Sequence, residues 1–283
     1  MLYRKIQNRL EEYFRADPNK IMIIDGARQI GKTYIVRHVG KKMFKNYIEI
    51  NLLEDSVGRR LFENTKAIED FYLQVSMIAG AYMKDKHDTL IFLDEIQAYP
   101  HLLTMLKFLK QDDKYTYIAS GSLLGVTLSK TTSIPMGSIQ VVRMYPLDFE
   151  EFLYANGFNE TAVTALRSKY SNKESLDERT HARVLNLFKK YLLAGGLPDA
   201  VVSYIETQNI VQVREIQSEI HEYYAMDAGK YDTDNRLKIR RIVSVKPQAP
   251  RLRPSRSFFI GASYPALVAP EYICFYQQRC YAA

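Results

Sequence analysis

The chain has 283 residues, 47% of them hydrophobic, with a formal net charge of +7. That is enough to bury a sizeable core as one large domain or two of ordinary size. With no run of eighteen apolar residues and a charged, amphipathic start, the sequence predicts neither a membrane span nor a secretory signal, and the expected compartment is the cytoplasm.

MLYRKIQNRLEEYF predicts an amphipathic helix over 2–15, ending before Asp17-Pro18. Ile21, Met22, Ile23 and Ile24 form an unbroken apolar run, which predicts a strand buried on both faces, and TYIVRHVGKKM predicts a helix. NYIEINL (46–52) alternates as a strand does, and helical stretches follow at 55–63 and 66–82. TLIFLDEIQ (89–97) is a second buried strand, Pro100 opens a helix that aligns Leu102, Leu106 and Leu109, and YTYIASGS (115–122) and IQVVRMYPL (139–147) are further strands. Strands alternating with helices predict an α/β fold with a parallel sheet. From Asp148 onward the pattern turns helical. Phe149, Phe152 and Leu153 mark one helix; Val184, Leu187, Phe188, Tyr191 and Leu192 mark another, ended by Gly195-Gly196 and Pro198; a polar helix covers 207–226. The expected organisation is a nucleotide domain over 1–147, a helical lobe over 148–241 and an irregular basic tail over 242–283.

The joint between the first strand and its helix carries the chemistry. Gly26-Ala27-Arg28-Gln29-Ile30-Gly31-Lys32-Thr33 has the spacing of a P-loop, whose backbone N–H groups wrap nucleotide phosphates while the Lys ammonium reaches the outer ones. Glycine allows a turn where a Cβ would collide, and the helix starting near Thr33 aims its positive end at the same anion. Residues 26–33 and Tyr34 are therefore the candidate nucleotide contacts, with ATP and Mg²⁺ as the expected cofactors and the Thr33 hydroxyl as a metal ligand. A GTP site would want Asn-Lys-x-Asp after a strand, and NTKAIED (64–70) departs from it. Cleavage needs more. In LIFLDE, Asp94 at a strand end can reach the Mg²⁺, and Glu95 can polarise the attacking water. Lys32 and Glu95 are the leading catalytic candidates. Ser120 and Ser122 could supply a hydroxyl that feels the terminal phosphate, or be turn residues; Arg143 or Arg28 could neutralise transition-state charge, or be ion-paired or solvated.

Other features point away from competing chemistries. The five histidines lack partners at ligand spacing, and Cys274 and Cys280 read as reduced thiols. More than half the net charge sits in the last forty-two residues, where Lys246, Arg251, Arg253, Arg256 and Arg279 face Glu271 alone. That distribution gives a nucleic-acid partner little support.

Taken together, GARQIGKT, LIFLDEIQ, ASGSLLG, MYPLDFEEFL (144–153) and YLLAGGLPDAV (191–201) resemble the AAA+-related prokaryotic ATPases whose P-loop domain precedes a C-terminal domain of unknown function, described in some as restriction-nuclease-like. The resemblance runs from about Arg4 to Arg241. It implies a P-loop fold of the additional-strand type followed by a helical lobe. By motif match it assigns nucleotide binding to Gly26, Gly31, Lys32 and Thr33, and metal binding and hydrolysis to Asp94 and Glu95. It also implies an oligomer-forming or switch-like ATPase with an unassigned protein partner. A family member would continue past KIRRI (238–242) into a winged-helix-like segment and the C-terminal domain; the Pro- and Arg-rich ending here is expected to be a truncated or frame-shifted tail.

Overall fold

A computed structural model describes residues 2–17, 19–80, 83, 85–122 and 137–231. Five strands, β1 (Ile21–Asp25), β2 (Asn46–Asn51), β3 (Thr89–Asp94), β4 (Thr116–Gly121) and β5 (Ile139–Arg143), form one sheet in the order β2-β3-β4-β1-β5. Every pairing is parallel. β4 lies between the strand that feeds the P-loop and the strand that ends in Asp94, which is the additional-strand arrangement. Parallel strands all deliver their C-terminal ends to one sheet edge, so the segments after β1, β3 and β4 gather there.

Both faces of the sheet are covered, as its unbroken apolar strands require. Met22, Ile24, Leu90, Phe92, Ile118 and Val142 pack beneath α1 (Ile6–Arg15) and α2 (Lys32–Met43), which contribute Leu10, Tyr13, Ile35, Val36 and Val39. The alternate residues Ile21, Ile23, Ile48, Ile50, Ile91, Leu93 and Tyr117 meet α3 (Leu52–Val57), α4 (Ile68–Ala79) and α5 (Pro100–Asp112) through Leu52, Phe71, Val75, Leu102 and Leu106. Tyr13 fastens α1 to the sheet: its hydroxyl accepts from the Met22 N–H at 2.9 Å and lies 3.0 Å from the Lys20 carbonyl.

Helix ends differ from the sequence expectation at several places, two of them with a clear local cause. Instead of 55–63, the structure has α3 at Leu52–Val57, because the Asn51 side chain caps it by accepting from Leu53 N and Glu54 N. Asp55 then turns the chain back, accepting from the N–H groups of Leu61 (3.2 Å) and Phe62 (3.3 Å), which places Phe62 in the core. α1 starts at Ile6 because the N–H of Lys5 is drawn into a 2.6 Å bond with the Glu151 carboxylate.

After β5 come α6 (Phe149–Ala155), α7 (Glu160–Ser171), α8 (Glu178–Ala194), α9 (Pro198–Thr207) and α10 (Ile210–Tyr231). Leu147, Phe152, Ala194, Ala200, Val201, Tyr204 and Val213 form their own core. The sequence expectation omitted α7 and α9. α7 buries only Val163, too little to show a period, and Pro198 opens a helix rather than merely ending the one before. Leu192, expected on the packed face of α8, is 56% exposed, whereas Leu187 and Tyr191 pack inward. By compactness the chain divides into Met1–Gln217, which holds the sheet and the helices up to that point, and Ser218–Ala283, of which residues 218–231 continue α10. The expected boundary at 241/242, the tail and both cysteines lie outside the described residues.

A buried charge joins the chain start, the P-loop and α6. Arg4, 6% exposed, donates from Nη1 to the Ile30 carbonyl (2.8 Å) and from Nη2 to the Tyr145 carbonyl (2.5 Å), and its Nε lies 3.3 Å from Glu151 Oε2. Glu151 in turn accepts from the N–H groups of Lys5 and Asp148, so Asp148 and Glu151 cap α6 reciprocally. Glu151→Gln keeps this shape but leaves the guanidinium uncompensated. Chemical denaturation should show a loss of about 2 kcal/mol; an unchanged midpoint would mean that Arg4 is held by carbonyls alone.

Candidate nucleotide site

The loop between β1 and α2 is shaped by two glycines with different duties. A Cβ on Gly26 would lie 2.4 Å from the Met144 carbonyl oxygen, so glycine is needed there for close passage of the chain leaving β5. Gly31 has φ +90 and nothing closer than 3.9 Å to where a Cβ would stand, so its requirement is the left-handed conformation itself. Among the loop residues between them, Ile30 is fully buried and anchors the loop in the core, Ala27 is partly buried, Arg28 is half-buried, and Gln29 is exposed at φ 61. Tyr34, in the first turn of α2, is 53% exposed.

Lys32 is 5% exposed, and its ammonium donates to the Gly26 (2.9 Å) and Ala27 (2.8 Å) carbonyls, curling under the loop. Burial pushes its pKa down, and Glu95, Asp94 and Asp25 push it back up against a smaller opposing push from Arg28. Burial outweighs the acids, so the folded protein disfavours the charge on this ammonium.

Those acids converge with the loop. Asp94, 3% exposed at the end of β3, accepts from Thr33 Oγ1 at 2.7 Å and from Ser120 Oγ. The register explains the second contact. Leu93 pairs with Ala119, so the next rung sets Asp94 against Ser120. Burial raises the Asp94 carboxyl pKa, with Glu95 adding to it, while the Ser120 and Thr33 hydroxyls pull the other way. A buried carboxylate beside a threonine hydroxyl is a hard-oxygen pair that favours a small divalent cation, which settles for one or two protein carboxylates when phosphates complete the shell. No group of three or more His, Cys, Asp or Glu side chains able to hold a metal occurs among the described residues.

Glu95 stands just past the strand in the left-handed region, φ 55 and ψ 48. A non-glycine residue there costs about 1–3 kcal/mol and persists only when its surroundings fix it. Here Glu95 Oε2 accepts from Gln97 Nε2 and from Ser122 Oγ (3.2 Å), and Ser122 is 1% exposed. The two serines thus divide between the two acids, Ser120 on Asp94 and Ser122 on Glu95. Arg143 ends the edge strand β5, exposed and in register with Asp25, and the side chains hydrogen-bonded to the Asp94 and Glu95 carboxylates among the described residues are those of Thr33, Ser120, Gln97 and Ser122. Gln97 is the member of the cluster that sequence reasoning missed.

Residues 18–153 match the family model of an AAA domain, and residues 185–250 that of a domain of unknown function, DUF8612. Over those first residues, which include the sheet and its loop, the chain is similar to an AAA domain. An uncharacterized protein of Methanocaldococcus jannaschii, MJ1544, is 26% identical over 230 residues, which are 81% of this chain and 45% of the relative, so the match spans less than half of that protein. Among solved structures, the Walker-type ATPase paby2304 of Pyrococcus abyssi is similar over 86% of this chain and 78% of its own, at 13% identity and a TM-score of 0.49. PCH-2 of C. elegans is similar over 77% and 68%, at 13% identity and a TM-score of 0.42. No described helix is long and apolar enough to cross a membrane.

Proposed function

We propose that the protein binds ATP with Mg²⁺ at the P-loop, hydrolyses it, and passes the change to the helices after β5. The single observation that carries this reading is the 2.7 Å bond between Thr33 and Asp94, which brings a P-loop hydroxyl and a strand-end carboxylate from sixty-one residues apart to one point.

Loop N–H groups and the N-terminus of α2 would hold the phosphates, and Lys32 would exchange its two carbonyl acceptors for charged phosphate oxygens. Thr33 and Asp94 would hold the cation, which when bound neutralises charge on the phosphate oxygens. Glu95 would orient the attacking water and draw its proton, while Ser120 keeps the Asp94 carboxylate turned toward Thr33. Two contacts support transmission to the helices. Arg4 spans the Ile30 carbonyl of the loop and Glu151 of α6, and Pro198 Cγ at the start of α9 is 3.9 Å from the Cβ position of Gly31.

A second reading, an ATP-gated switch with little turnover, is favoured by the engagement of Glu95 by Gln97 and Ser122. In that case nucleotide occupancy alone sets whether the helices meet a protein partner or a second copy of the chain. A cytoplasmic setting belongs to both readings. A DNA-acting ATPase is a third and weaker option, which predicts stimulation by DNA and steep salt sensitivity. Steady-state phosphate release separates them. The ATPase reading expects saturable release that needs Mg²⁺, stops with EDTA and ignores added DNA; tight ATP binding without release would favour the switch.

A further inference from the structure

We propose that Gln97 is a positioning residue that clamps the Glu95 carboxylate and ties it to the chain leaving β4. The inference rests on the hydrolytic reading above and gives a role to a residue to which the motif match assigned none.

Gln97 lies in the short 3-10 turn Ile96–Ala98, two residues beyond Glu95. Its Nε2 donates to Glu95 Oε2 and to Ser122 Oγ (3.0 Å), and its Oε1 accepts from the Ser122 N–H at 3.2 Å. Both ends of the amide are therefore used, which a primary amide can do and a carboxylate or an alkyl chain cannot. The turn does not need this side chain. Its closing bonds are main-chain ones, from Ala98 N to Glu95 O (2.9 Å) and from Tyr99 N to Ile96 O (3.2 Å). The amide contacts thus serve the carboxylate and Ser122 rather than the closure of the turn.

The Ser122 hydroxyl and the Gln97 amide meet on the same oxygen, Oε2, and Oε1 has no hydrogen bond among the described residues. Holding one oxygen fixes the rotation of the carboxylate and leaves the other to face the reacting water. Bonds to a charged acceptor are the strong kind, enough to hold a long side chain in one rotamer. Without the clamp, Glu95 would sample orientations in which it serves no water, and small misplacements of a catalytic group slow reactions steeply.

The test uses the full chain as wild type, Gln97→Met, Glu95→Gln and the double variant. Phosphate release is measured at saturating Mg-ATP, and affinity for a non-hydrolysable ATP analogue is measured separately. Methionine keeps the length and loses every donor and acceptor. Gln97→Met should lower kcat on the order of tenfold while analogue affinity stays within about twofold. Added to Glu95→Gln, it should slow the enzyme no further, because its effect runs through that carboxylate. Should Gln97→Met fold poorly by its melting curve, Gln97→Glu retains an acceptor for Ser122 N–H while setting a like charge on Glu95, and is expected to be at least as slow. An unchanged kcat, or an equal loss in the Glu95→Gln background, would overturn the clamp and leave the ATPase reading standing. A wild-type protein that binds the analogue yet releases no phosphate removes both.

Discussion

Glu95→Gln should lower kcat for ATP hydrolysis by about 10²–10⁴-fold while leaving ATP-analogue affinity close to wild type. The amide is nearly the same shape, so the turn at φ 55 and the acceptor toward Ser122 can persist. What disappears is the group that takes a proton from the attacking water. Asp94, Thr33 and Lys32 are untouched, so the nucleotide is still gripped. Single-turnover phosphate release beside equilibrium binding makes the distinction. If release were equally slow before and after the substitution, Glu95 would have no hydrolytic duty and the switch reading would replace the enzymatic one.

Lys32→Ala should weaken ATP binding by about ten- to a hundredfold, because a bond to a charged group contributes about 1.5–3 kcal/mol and each 1.4 kcal/mol is a decade. The ligand-free protein should not suffer in parallel. Burial pushes the Lys32 pKa down, which means that the folded state disfavours its charge, and removing that charge lifts the penalty at neutral pH. Loss of affinity together with an unchanged or raised melting temperature is therefore the signature expected. A large fall in melting temperature would instead mark Lys32 as a structural residue, bound to the Gly26 and Ala27 carbonyls for their own sake.

The parts of the site visible in the sequence are those fixed by local rules. Gly26, Gly31, Lys32 and Thr33 lie within one loop, and Asp94 and Ser120 sit at the ends of apolar runs long enough to be strands, so their meeting follows once the sheet is parallel. The order that puts β4 between β1 and β3 was legible through family resemblance, not through periodicity. Gln97 closes LIFLDEIQ, but its role could not be seen. In a strand or a helix a residue two positions on from Glu95 would be fixed by the regular period, and only the left-handed turn at Glu95 folds its amide back onto the carboxylate. Arg4 was hidden for a different reason. A basic residue at the start of an amphipathic helix reads as solvated, and nothing local reveals a partner 147 positions away at Glu151. α7 and α9 escaped because one buries a single side chain and the other opens with the proline that closed its predecessor.

The central claim is that Lys32, Thr33 and Asp94 together hold a metal-bound triphosphate. A crystal structure with Mg²⁺ and a non-hydrolysable ATP analogue tests it most directly. The account predicts the outer phosphates within hydrogen-bonding reach of the Lys32 ammonium and the loop N–H groups, with the cation beside the Thr33 hydroxyl and the Asp94 carboxylate. A nucleotide bound elsewhere on the chain, or one seated in the loop with Asp94 and Glu95 turned away from it, would contradict it.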